Sequence, residues 1–190
     1  SGNPEDTIIK ADGSNWRITG NNLKIEGITL QGLNDSYGSG YRFIKADADS
    51  LILRNIIFKY NTVAQSLPLI DLSNSTQQSG SAQLLIEDSH FENNSNVQNS
   101  NGVYMISGSD DGAHITVRNS IFEDNAVDSF RYIFDNYVDI YDSEFYDSRF
   151  IASTITANNS VFWNTTFFNS NNRAWSFMRA DITNSILYNV

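Results

Sequence analysis

Cysteine is absent from the 190-residue chain. That excludes disulfides and thiolate metal sites, but it does not by itself identify a compartment. Proline is nearly missing as well, with 2 residues, and few positions are therefore barred from strand pairing. Cations are scarce: 12 Lys and Arg stand against 22 Asp and Glu, a formal charge of −10. Nucleic acid and anionic membranes both demand clustered Lys and Arg, so neither is the expected partner. No run of eighteen apolar residues exists to insert into a bilayer, and the opening Ser1-Gly2-Asn3-Pro4 is no signal peptide. Helix-length amphipathic segments are missing too.

What is present is one short phrase, repeated. It runs apolar, any, apolar, any, Asn or Asp, Ser, any, Phe. The first copy, Leu23-Lys24-Ile25-Glu26-Gly27-Ile28-Thr29-Leu30, is followed by copies closing at Phe58, Phe91, Phe122, Phe145, Phe162 and Leu187. Asp88-Ser89, Asn119-Ser120, Asp142-Ser143, Asn159-Ser160 and Asn184-Ser185 share one offset. Closing residues are spaced by 28, 33, 31, 23, 17 and 25, so the phrase is constant while the filler varies. Periods of this size indicate a solenoid, propeller or array, with the variable filler in loops. The apolar alternation has the period of a strand, and each phrase reads as a strand followed by a bend.

A weaker apolar run precedes most copies, at Tyr41 to Ile44, Leu67 to Ile70, Val103 to Ile106, Arg131 to Phe134, Arg149 to Ile151 and Trp175 to Met178. Each repeat thus holds two strands and room for a third near the closing Phe. The shortest repeat has a contour of about 56 Å at about 3.3 Å per residue. That suffices for one triangular coil but not for a four-stranded propeller blade, which leaves an all-β parallel β-helix of seven to eight coils. Equivalent residues then stack about 4.8 Å apart. The bend Asn or Asp tolerates left-handed backbone angles, and stacked Asn side chains can bond one another. Ser fits inside the corner, and the closing Phe residues form an internal column.

Asn119-Ser120-Ile121-Phe122-Glu123-Asp124-Asn125 and its sister copies, including Phe58 to Asn61 and Phe91 to Asn94, resemble the right-handed parallel β-helix proteins of the pectin-lyase-like superfamily. The resemblance spans essentially the whole chain. In texture it is most similar to uncharacterised β-helix domains of bacterial surface lipoproteins encoded with polysaccharide-utilisation systems. It implies a secreted or surface-anchored bacterial module working on a polysaccharide or cell-surface glycan. The right hand agrees with the rule for crossovers between parallel strands.

Registered coils turn outward positions into columns. Four residues before the closing residue stand Glu26, Arg54, Glu87, Arg118, Tyr141, Asn158 and Thr183; the first four alternate in sign, as in a salt-bridge ladder. Arg54 and Arg118 could alternatively hold an acidic sugar, although acids flank each. One position after it lie Gln31, Lys59, Glu92, Glu123, Tyr146, Trp163 and Tyr188. Tyr146, Trp163 and Tyr188, with Tyr141 nearby, form a candidate carbohydrate-binding strip, because flat amphipathic rings suit sugar faces. A loop from Thr165 to Ala174 folding over them is the competing expectation. Acids also gather after the weaker strand, at Asp47, Asp49, Asp71, Asp110, Asp111 and Asp135. They could hold Ca²⁺, yet no sequential calcium loop is present, and solvated turns on one edge of the solenoid explain them better. No other cofactor is expected.

Catalysis needs more than a fold. The Ser109-Asp110-Asp111-Gly112 run resembles the paired-Asp motif of polygalacturonases, which makes Asp110 and Asp111 the candidate catalytic pair; the accompanying Gly-His-Gly and Arg-Ile-Lys motifs are missing. His90 sits outward beside a closing Phe and His114 ends a turn, so both read as surface residues. The expectation is a single β-helix domain over residues 1–190, excised from a longer protein, with a neighbouring domain at the C-terminal end. Its role is to bind or display against polysaccharide without catalysis. A lyase or hydrolase of acidic glycans and a structural stalk or adhesin are the alternatives.

Overall fold

The computed structural model describes residues 2–11, 16–34, 42–63, 68–73, 82–96, 104–108, 114–125, 132–134, 137–147, 149–152, 154–169, 179–188 and 190. Apart from the 3-10 turn Pro4–Asp6, its regular structure is strand. No helix of the described residues is long and apolar enough to cross a membrane.

The first half of each phrase forms a seven-stranded sheet: Asn22–Glu26, Ser50–Arg54, Gln83–Glu87, His114–Arg118, Tyr137–Tyr141, Thr154–Asn158 and Arg179–Thr183. The closing residues centre an eight-stranded sheet: Ile8–Lys10, Thr29–Gln31, Ile57–Lys59, His90–Glu92, Ile121–Glu123, Glu144–Tyr146, Val161–Trp163 and Ile186–Tyr188. A five-stranded sheet of Trp16–Thr19, Ile44–Asp47, Ile70–Ser73, Tyr104–Gly108 and Tyr132–Phe134 overlaps four of the weaker runs, and at Ile44 and Ile70 the strand begins where the run ends. Every pairing is parallel and joins one coil to the next. The molecule is a parallel β-helix, eight rungs tall along its longest sheet. The opening residues form part of a first coil, through Ile8–Lys10 and Trp16–Thr19.

The bend has a backbone cause. Asn55, Asp88, Asn119, Asp142, Asn159 and Asn184 all take φ near +50°, and Gly27 replaces them in the first copy at φ +69°. Asn and Asp tolerate this left-handed region because their short polar side chains bond locally. The following Ser turns inward. Ser89, Ser120, Ser143 and Ser185 each donate Oγ–H to the carbonyl two residues back at 2.7 Å. The same oxygens accept backbone N–H groups from the preceding coil at 3.2–3.3 Å, from Ile56, Ser89, Ser120 and Ser160. At these four corners the inward Ser thus meets both a carbonyl and an N–H within the protein.

Phe58, Phe91, Phe122, Phe145 and Phe162 are fully buried in one file. Successive ring centroids lie 5.6, 4.6, 4.8 and 5.5 Å apart, and the planes are within 24° of parallel. Beside the file runs a ladder that the phrase did not foretell. Three residues after the closing Phe, buried Asn61, Asn94 and Asn125 pass side-chain bonds from coil to coil. Their Nδ2 groups also bond the carbonyls of Leu30, Phe58 and Phe91. The stacked asparagine ladder therefore stands at the second bend and inside; at the first bend, exposed Asn119 and Asn159 bond Asp88 and Asp142.

The last weaker strand was expected at Trp175 to Met178, which lie outside the described residues. Thr166–Asn169 is itself a strand, paired with Arg149–Ala152 at an offset of 17 residues. The segment expected to be a loop from Thr165 thus begins as sheet, because its spacing matches the step from Phe145 to Phe162.

Candidate functional site: the outer face of the eight-stranded sheet

In the strands from Ile57–Lys59 to Val161–Trp163 the central residue is buried and the two flanking residues lie on the outer side. Ile57, His90, Ile121, Glu144, Val161 and Ile186 form one outer column, while Lys59, Glu92, Glu123, Tyr146, Trp163 and Tyr188 form the other. The upper rungs are charged and the lower ones aromatic.

At the aromatic end Trp163 and Tyr188 stack with centroids 3.9 Å apart and planes 16° from parallel. Trp163 is 45% exposed, Tyr188 53% and the neighbouring Ile186 62%. One face of Tyr188 lies against Trp163, and the two exposed rings together make the aromatic surface of this end. Tyr146, half-buried in the same column, donates its hydroxyl to Glu144 Oε2 at 2.8 Å. That bond, with some burial and the negative charge of Glu144 and Glu123, raises its pKa. Tyr141 is not part of this face. It lies on the seven-stranded sheet, beyond the Asp142-Ser143 bend, with the Arg118 guanidinium 5.3 Å from its ring centroid.

The charge column on the seven-stranded sheet joins Glu26, Arg54, Glu87, Arg118 and Tyr141 as successive register partners. Register neighbours do not all become ion pairs. Arg54 Nε and Nη2 both reach Glu87 Oε2 at 2.6 Å. Glu26 turns to Lys24 on its own strand at 2.5 Å, and that bond lowers its pKa. Arg54 could meet a sugar carboxylate only by leaving Glu87, whereas Arg118 is exposed with its guanidinium over Tyr141.

The remaining acids divide. Asp110, Asp111 and Asp135 lie outside the described residues. Asp47 ends the strand Ile44–Asp47, and Asp49 follows it. Asp71 does not share their level: it pairs in register with Lys45, while Asp47 pairs with Ser73. Asp71 is buried inside its strand and meets Arg42 Nε at 2.8 Å. The acidic edge expected from register breaks there, because this coil's strand opens on Ile70 and puts Asp71 second.

His114 opens a strand, and its Nε2 lies 2.8 Å from Asp139 Oδ2. His90 Nε2 lies 2.8 Å from Glu123 Oε1 on the next coil, with Glu92 alongside. Sequence reasoning set Glu92 and Glu123 in one column but left His90 out of their company. The available signal was the spacing of two within a strand, which puts His90 and Glu92 on the same side. Compared with protein-family models, with curated proteins and with solved structures, the chain finds no match in any of the three.

Proposed function

We propose that the chain is a non-catalytic module, secreted or on the outer surface of a bacterium, that holds polysaccharide against the aromatic end of the eight-stranded sheet. The pectin-lyase-like resemblance of its repeat supports that setting. The observation that carries the reading is the exposed Trp163–Tyr188 stack. A sugar ring lies on the open face of Tyr188, with Trp163 holding that ring flat and Ile186 and Val161 supplying apolar surface beside it. Stacking on Trp163 already orders the Tyr188 ring, so little conformational entropy is lost on binding.

Glycan-array screening followed by calorimetry on the best ligand tests this. Tyr188→Ala and Trp163→Ala should each weaken binding by about tenfold or more, equal to about 1.4 kcal/mol, while Tyr141→Ala leaves affinity unchanged. Release of reducing or unsaturated sugar ends by the wild-type protein would replace this reading with the enzymatic one. Silence in both assays would leave a stalk or adhesin.

A further inference from the structure

The charged end of the same face carries a second arrangement. His90 and Glu92 point out from one strand, and Glu123 is the register partner of Glu92 on the next. One donor atom from each lies within 4.8 Å of the other two, and all three side chains are half-buried. We propose that His90, Glu92 and Glu123 bind a divalent transition-metal ion of the Zn²⁺ class.

Charge placement supports this. Stacked like charges are destabilising in a sheet, and the column on the seven-stranded sheet avoids them by alternating Glu26, Arg54, Glu87 and Arg118. Here Glu92 and Glu123 stack directly instead. Lys59 lies 3.6 Å from Glu92, and His90 offsets Glu123 only when its ring is protonated, while Glu144 brings a third carboxylate to the face on the following rung. A divalent cation balances what remains.

Geometry and donor type select the ion. Zn²⁺ takes imidazole nitrogen and carboxylate oxygen at about 2.0–2.2 Å, which places tetrahedral ligand atoms about 3.4 Å apart. That spacing falls between the 2.8 Å from His90 Nε2 to Glu123 Oε1 and the 4.8 Å outer limit of the group. Side-chain rotations that move donors by on the order of 1 Å make the site, with the backbone held by the ladder. Ca²⁺ is the poorer match, since it seeks six to eight oxygens and an imidazole displaces one. Three protein ligands leave the fourth position to water, as in an open zinc site.

Protein freed of metal by chelation and titrated with ZnCl₂ by calorimetry should show one saturable site. His90→Ala and Glu123→Gln should each weaken it by about tenfold or more. His114→Ala should not, because among the described residues His114 belongs to no group of three metal-ligating side chains. Zn²⁺ should also shift the His90 ring nitrogens in ¹⁵N spectra while those of His114 stay. The substituted side chains lie on the outer face, and an unchanged melting temperature separates lost binding from lost folding. Absence of saturable Zn²⁺ binding, full affinity in His90→Ala, or binding of Ca²⁺ in preference to Zn²⁺ would each overturn the proposal.

Discussion

At the scale of single residues, position within the strand decides what a side chain is worth. Phe122 is fully buried between Phe91 and Phe145, while Ile121 beside it is 37% exposed. Truncating Phe122 removes a large buried ring and leaves a gap that the tightly spaced coils cannot close. Phe122→Ala should lower unfolding free energy by roughly 3–5 kcal/mol in urea denaturation, whereas Ile121→Ala should change it by less than about 0.5 kcal/mol. Tyr146 gives a test by pH. Its pKa is raised by the bond to Glu144, so that contact contributes in full below the ordinary tyrosine value and is lost as pH rises through the higher folded value. In a spectrophotometric titration, Tyr146→Phe should remove a late-ionising tyrosine from the wild-type curve, and Glu144→Gln should move it to lower pH.

Among the elements, the inner asparagine ladder matters more than the exposed charge column. Asn94 accepts from Asn61 and donates to the Phe58 carbonyl and to Asn125, all out of water. Asn94→Ala strands buried groups on both neighbouring coils, each costing about 1–3 kcal/mol. The variant should lose roughly 3 kcal/mol in all, read as a fall in the urea midpoint at constant slope. Arg54 and Glu87, by contrast, are partly exposed and screened, and such pairs contribute at most about 1 kcal/mol.

Across the whole molecule, each coil rests only on its neighbours, so stability is a local sum along the axis. Central rungs have their Phe rings covered on both sides; in the last described rung, Leu187 is 47% exposed. Hydrogen exchange should therefore be slowest at the amides of Phe91 and Phe122 and fastest at Ile186 and Leu187. Uniform exchange along the eight-stranded sheet would show that the coils open together.

The phrase by itself determined the coil. Alternating apolar residues, a bend Asn or Asp and a closing Phe prescribe strand, corner and interior file, because each is a demand on local backbone or on burial that the residue type answers. Column membership followed from the same counting, which is why Trp163 and Tyr188 were legible as neighbours. Only the tertiary structure decided how columns spend their side chains. It separated Tyr141 from Tyr146 at a corner, turned Glu26 to Lys24, buried Asp71 against Arg42, set the asparagine ladder at the second bend and brought His90 to Glu123. Those outcomes depend on rotamers, exposure and pairing across coils 17 to 33 residues apart, distances over which sequence order carries no contact information until the register is physically closed.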